Sequence, residues 1–476
     1  MDFSKEKFEK LVIKSLKIIE GWYESSLRNN KIYHNYSPKQ INKIFKLGND
    51  NSNQSPEKVL DYLEKHLLKT SNFNPSPNYY GYITGGGNQI GIISEFLKSA
   101  LNQNNLKWHS APGNTEIEKI VIQWIANFIG YPKNCGGVLV SGGSVANLLN
   151  LAVMRKVKGN KNIKTKGIYK SKIMRVYVSD EAHSSIDKGM DMLGLGLENL
   201  IKIETDKCFK IKTKILEEKI KKDLKGGYFP IGIIGIAGTT NTGSVDPLYE
   251  LSKIAKKYKL WYMIDAAYGG PAAKIDKKLF YGIEKADSLL INPHKWFFVP
   301  FEVACVMVKN KKNLKNTFNL VPEYLTGGVE KNEREDLMNY SIQLSKDFKA
   351  LKVWMTIKVY GSSVLTDAII NDIKMAKYAY SIVMQSKEFY PIHKPELSIF
   401  CFQYVPRKKN INKNSINKKI IDLIEKDGRI FLAGTIINKE NVLRINCTNH
   451  RRKKEDIDFL FLVLRQIGGK AESLLS

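Results

Sequence analysis

Apolar residues never run on for long in this chain. No stretch approaches the roughly 18 apolar residues of a membrane-spanning helix, so no membrane span is expected. Cysteine is scarce. The five present, Cys135, Cys208, Cys305, Cys401 and Cys447, are odd in number and form no Cys-x-x-Cys pair. That speaks against a disulfide framework or a zinc site, leaves no metal centre expected, and suits reduced thiols in a cytoplasmic setting. The start, Met1-Asp2-Phe3-Ser4-Lys5-Glu6, lacks the apolar core of a signal peptide. Acidic residues are also short: 47 Asp and Glu against 75 Lys and Arg give a formal net charge of +28. Such an excess suits a basic nucleic-acid-binding or membrane-surface protein. A solvated Lys-rich surface accounts for it better. Lys far outnumbers Arg, the residue that phosphate and base readers favour, and the lysines are spread over the whole chain. Neither nucleic acid nor membrane is therefore expected as a partner.

What is present suffices for globular burial. With 43% hydrophobic residues and 476 positions, the chain exceeds one compact core and divides into two or three domains. Residues 1–84 read as an arm of amphipathic helices. Phe8, Leu11, Val12, Leu16 and Ile19 share one helix face, and Val59, Leu60, Leu63, Leu67 and Leu68 form a second helix. Such an arm has little core of its own and must dock on something. Residues 85–360 alternate short apolar runs with helical stretches, the pattern of βα units and a mainly parallel sheet. Strands are expected at 138–140, 175–178, 231–237, 261–265, 288–291 and 303–308, the last of them antiparallel. Residues 361–476 alternate on a smaller scale and end in a helix from Glu455 to Ile467. The Lys-rich run from Lys408 to Lys419 reads as an exposed loop.

The chemistry gathers at the strand ends. Asn292-Pro293-His294-Lys295-Trp296 follows one strand, and Asp265-Ala266-Ala267-Tyr268-Gly269 ends the strand before it. A lysine beside apolar rings, with a carboxylate one strand earlier, is what pyridoxal phosphate chemistry requires. The lysine forms a Schiff base with the cofactor aldehyde, and the carboxylate keeps the pyridine nitrogen protonated. A pyridinium would also supply the cation that a buried Asp265 needs. The apolar setting of Lys295 lowers its pKa toward the neutral amine. Ser141-Gly142-Gly143-Ser144 lies between a strand and a helix and offers backbone N–H groups to a phosphate, or else is a tight turn capped by Ser144. His183 follows the second strand, where a ring can stack on the cofactor and meet the substrate carboxylate. Thr240, in Gly238-Thr239-Thr240-Asn241, reaches the ring substituents or belongs to a hydroxyl-rich turn. Asn292 and His294 flank the lysine and can bind phosphate or guide the carboxylate.

These motifs, with Asn78-Tyr79-Tyr80-Gly81-Tyr82, Thr115-Glu116-Ile117-Glu118 and Leu443-Arg444-Ile445-Asn446, resemble the group II pyridoxal-dependent decarboxylases. That family includes the aromatic L-amino acid, histidine and glutamate decarboxylases. The resemblance covers nearly the whole chain from about residue 75 and implies an α/β protein of pyridoxal-phosphate fold type I. Its large, mainly parallel seven-stranded-type sheet carries an N-terminal helical arm and a small C-terminal α/β domain. It implies a homodimer and an amino-acid carboxy-lyase. Gly143, Ser144, His183, Thr240, Asp265, Ala267, Asn292, His294 and Lys295 are then the cofactor contacts, and Lys295, Tyr324 and His183 the catalytic residues. Tyr324 falls where the family has a lid tyrosine that reprotonates carbon, and the family's aldehyde synthases have Phe there. Tyr82, Ile83, Thr84 and Leu106 fall on substrate-pocket positions, Tyr82 to Gly85 lining the neighbouring subunit's pocket.

The sequence departs from the aromatic-specific members there. Ile83-Thr84-Gly85 replaces a Phe-Pro-Thr string, Leu106 a Phe, His109-Ser110 small residues and Met338 an Arg. An aromatic substrate of the tyrosine, tryptophan or dopa type is the first expectation. A small or acidic one (aspartate, glutamate, cysteine sulfinate or diaminobutyrate) and an aldehyde synthase activity are the alternatives.

Overall fold

The computed structural model describes residues 1–28, 31–45, 53–160, 162–169, 171–320 and 334–476. Seven strands build the central sheet: β1 (Gly136–Val140), β2 (Met174–Ser179), β3 (Leu200–Ile203), β4 (Phe229–Ile236), β5 (Trp261–Asp265), β6 (Ser288–Ile291) and β7 (Ala304–Val308). Their spatial order is β1-β7-β6-β5-β4-β2-β3. β7 runs antiparallel to both β1 and β6, and every other pair is parallel. The sheet is α/β and mostly parallel, as expected. β3 is the strand that sequence reading misses. It is a four-residue edge strand with only its end residues buried, too short for a periodic signal.

Unbroken apolar strands mean a sheet covered on both faces. Ile233, Ile264 and Leu289 pack toward the helices Pro112–Ile129 and Leu248–Lys257. Their chain neighbours Ile234, Met263 and Leu290 face the helix Gly143–Lys158 on the other side.

A second sheet, order β10-β11-β9-β8, is wholly antiparallel: β8 (Phe389–Pro391), β9 (Ile399–Tyr404), β10 (Ala433–Ile437) and β11 (Glu440–Asn446). The helices Lys413–Asp427 and Lys454–Leu475 cover it. The first corrects the loop expected over 408–419. The Asn412 side chain accepts from the backbone N–H groups of Asn414 and Ser415, and Ile416, Ile420, Leu423 and Ile424 turn inward at helical spacing. The last helix continues past Ile467 to Leu475.

The helix Ala350–Gln385 links the two sheets and breaks at Gly361, whose φ of 65° is left-handed. In the arm, Lys5–Arg28 is one helix, and Pro56–Tyr62 continues as a π-helical turn over Leu63–Leu68. Among the described residues, no helix is long and apolar enough to cross a membrane.

Candidate active site

Parallel strands bring their carboxyl ends to one edge, where an open α/β sheet forms its ligand crevice. At that edge β1 delivers Gly143 and Ser144, β4 Gly238 and Thr240, β5 Asp265 and Ala267, and β6 Asn292 and Lys295. His183 arrives from β2. With Asn147, Ser185, Ile236 and Tyr268 these residues line one cavity of about 210 Å³. Residues spread over 150 positions of sequence thus meet because the strands that precede them are neighbours.

The phosphate-loop candidate is built for close approach. A Cβ added at Gly143 would stand 2.9 Å from Asn292 Nδ2. The reading of Ser144 as a cap does not hold: Gly142 occupies the N-cap position, and Ser144 lies in the helix's first turn with its side chain exposed. The Oδ1 atoms of Asn292 and Asn147 are buried without a hydrogen-bond partner.

Asp265 ends β5 and is buried. Its Oδ2 accepts from Asn147 Nδ2 at 2.9 Å and its Oδ1 from the Ala267 N–H at 3.1 Å. Among the described residues no lysine or arginine hydrogen-bonds to it. A buried carboxylate without a bonded cation is the setting a protonated pyridine ring fits. Burial lowers the pKa of Lys295; nearby Asp265 opposes the shift and Arg444 adds to it. His183 presents an exposed ring to the cavity. Its pKa is lowered, first by partial burial, against an opposing pull from Asp265 and with a push from Lys295.

Arg444 of β11 reaches in from the second sheet. Its Nε donates to the carbonyls of Thr240 at 2.9 Å and Asn241 at 3.2 Å, its Nη1 to that of Tyr82 at 3.4 Å. Arg444 thereby holds the loop that carries Thr240. Sequence reading quotes Arg444 without a role, and it misses Asn147 and Ser185. The one available signal was a buried-face asparagine three residues, about one helical turn, beyond Ser144.

Other expected residues lie elsewhere. His294 does not line the cavity. In the short helical turn Pro293–Trp296 successive side chains diverge by about 100°. His294 therefore faces a separate cavity of about 190 Å³, which Thr84 also lines. Its Nδ1 accepts from the Val303 N–H at 3.2 Å, its ring packs on Phe301, and burial pushes its pKa down to about 3. Tyr82 is exposed, with a left-handed φ of 52°. Ile83 is buried, and a Cβ at Gly85, two residues on, would overlap the Lys295 carbonyl at 2.1 Å. Leu106 is half-buried, and its carbonyl accepts from the N–H of Met338, another departing position. None of Tyr82, Ile83, Thr84 or Leu106 lines the Lys295 cavity of this single chain. Tyr324 lies outside the described residues.

Comparison with known proteins agrees with this chemistry. The family model described as the pyridoxal-dependent decarboxylase conserved domain matches residues 38–405. An aromatic-L-amino-acid decarboxylase of Bacillus atrophaeus is 33% identical over 407 residues, 84% of this chain and 83% of that one. Tyrosine decarboxylase 3 of Petroselinum crispum is 31% identical over 438 residues, covering 89% and 84%. The crystal structure of Catharanthus roseus tryptophan decarboxylase with L-tryptophan superposes with a TM-score of 0.90 at 25% identity, over 99% of this chain and 100% of that one.

Proposed function

Because this chain belongs to the pyridoxal-dependent decarboxylases and is a carboxy-lyase that uses pyridoxal 5'-phosphate, we propose that it removes the alpha-carboxyl group of an aromatic L-amino acid, of the tyrosine, tryptophan or dopa type. The convergence of Lys295, Asp265 and His183 on one cavity at the carboxyl edge of the sheet carries the decarboxylase chemistry, and the similarity to aromatic-L-amino-acid and tyrosine decarboxylases supports the aromatic substrate.

Lys295 would hold the cofactor, Asp265 its ring nitrogen, and Gly143, Ser144 and Asn292 its phosphate. His183 would lie over the ring, with Thr240 and Ala267 beside it. The bound cofactor supplies an electron sink for the bond to the departing carboxylate. The chain's own groups do the rest. Burial keeps the Lys295 amine available as a nucleophile. His183 orients the substrate carboxylate, and the hydroxyl of Tyr324 returns a proton to the alpha carbon. Asp265 and Lys295 lie at the buried floor of the cavity, where electrostatic contacts are stronger than in water.

The enzyme works as a homodimer in this reading, with Tyr82, Ile83, Thr84 and Leu106 serving the neighbouring subunit's pocket. Support comes from the exposed apolar side chains of Phe8, Ile13 and Leu16 on the arm. Five free cysteines, four of them buried, suit a reducing cytoplasm.

The test is a screen of L-amino acids for CO2 and amine, with Lys295→Ala as control. An aromatic substrate should yield amine and CO2 in equal amounts without peroxide, and Lys295→Ala should lower the rate by about three orders of magnitude or more. Turnover of aspartate, glutamate, cysteine sulfinate or diaminobutyrate alone would overturn the aromatic assignment. Peroxide and ammonia would make the enzyme an aldehyde synthase.

A further inference from the structure

Four polar side chains under the cavity form an unbroken chain. Asn147 Nδ2 lies 2.9 Å from Asp265 Oδ2 and 2.9 Å from Ser185 Oγ, and Ser185 Oγ lies 2.8 Å from His183 Nδ1. The backbone N–H of Ser185 also reaches His183 Nδ1, at 3.1 Å. Asn147, Ser185 and Asp265 are 1%, 2% and 7% exposed, so water does not scramble their bonds.

Chemistry fixes every direction along this chain. An ionised carboxylate only accepts, so the amide of Asn147 must turn its NH2 toward Asp265. One N–H goes to Asp265 and the other to Ser185 Oγ. The Ser185 hydroxyl keeps a second lone pair, so its direction toward His183 Nδ1 follows from the state of that nitrogen. The Ser185 backbone N–H can only donate, and it meets the same nitrogen. Nδ1 therefore accepts through its one in-plane lone pair, which the Ser185 N–H and hydroxyl share, and the ring proton sits on Nε2.

We propose that Asn147 and Ser185 are positioning residues that lock His183 as the neutral Nε2–H tautomer and aim the Asp265 carboxylate, so that one side chain, Asn147, sets both the ring partner and the acid partner of the cofactor. The proposal rests on the functional reading above. An imidazolium would place an Nδ1–H against the Ser185 N–H, so the same contacts resist protonation of His183. The charged groups facing that ring are Asp265 from β5, Lys295 from the turn after β6, and Asp187 and Lys188 from the helix Ser185–Met192 that follows it. Asp265 and Asp187 favour the cation, while Lys295 and Lys188 oppose it.

Two measurements test this. The first is the ring-nitrogen NMR spectrum of the [15N]histidine-labelled protein. It has seven histidines, and His183→Gln assigns the relevant one. A protonated Nε2 with bare Nδ1 is expected, and a protonated Nδ1 overturns the proposal. The second is the pH profile of kcat/KM with the cofactor dissociation constant. Ser185→Ala removes one donor to Nδ1, so the acid limb should move up by about half to one pH unit while cofactor binding stays as in wild type. Ser185→Thr should restore the limb. Asn147→Ala should move the limb and also weaken cofactor binding about three- to tenfold. A Ser185→Ala limb that coincides with wild type overturns the proposal even if Asn147→Ala fails to fold. A wild-type protein that decarboxylates no L-amino acid overturns the functional reading instead, and the nitrogen spectrum still reports the tautomer.

Discussion

The central sheet and the N-terminal arm place their apolar residues in opposite ways. In β4 every residue after Phe229 is buried. In the helix Lys5–Arg28, Phe8 is 53%, Ile13 53% and Leu16 55% exposed. The arm is nonetheless anchored at its far end: Trp22 and Tyr23 meet Phe73 edge-on at 5.1 and 5.3 Å, and the Ile32 N–H donates to the Gly428 carbonyl at 2.9 Å. The helix Gln89–Leu101 repeats the pattern with Ile93, Phe96 and Leu101 exposed. The chain covers both faces of its sheet by itself, whereas the arm leaves apolar side chains exposed among the described residues. An amphipathic helix draws its stability from packing its apolar face.

The contrast can be sharpened by substitutions on each side of it. The largest effect should come at the sheet's functional edge. Asp265→Asn should lower decarboxylation by about a hundredfold or more with an unchanged melting curve, since it removes a charge but little packing. In the sheet's interior, Ile233→Ala should cost about 2–5 kcal/mol in urea unfolding, because β4 and its covering helices cannot collapse onto the lost volume.

A smaller effect should appear with pH. His294 and His450 are held down to about 3 and about 4, chiefly by burial, from an ordinary 6.5. Each stays neutral when folded and takes a proton when unfolded, so its contribution is complete above pH 6.5 and is lost as pH falls toward the folded value. Asp246 and Asp372, pushed up to about 7 by burial, act with the opposite sign: their contribution is complete below about 3.8 and is lost as pH rises through 7. The wild-type slope is the sum of both. His294→Gln should therefore lose about 2 kcal/mol less between pH 7 and pH 5 than wild type does, read from urea midpoints.

The smallest effect on unfolding should lie in the arm. Leu16→Glu should change the stability of the dissociated chain by less than about 0.5 kcal/mol, yet lower the assembled mass seen by light scattering. If it costs the dissociated chain as much as Ile233→Ala does, the contrast between arm and sheet collapses.

Much of this was legible beforehand because the signals are local. Apolar runs such as Ile231–Ala237 carry their own burial pattern. Lys295 and Asp265 announce themselves by residue type at a strand end. The short edge strand Leu200–Ile203 and the helix starting at Lys413 were not legible. One has too few residues for a period, and the other hides its apolar stripe behind lysines.

The sequence by itself determined the alternation of strand and helix, the order in which the motifs leave the strands and the cofactor chemistry they serve. Those features depend on side-chain type and on neighbours within a turn or a strand. Only the tertiary structure decided that Lys295 enters the cavity while His294 turns away, that Arg444 reaches the Thr240 loop from the second sheet, and that Asn147 bridges Asp265 to Ser185 and His183. Each depends on which strands lie side by side and how one turn is rotated, and those are settled by packing between segments far apart in the chain.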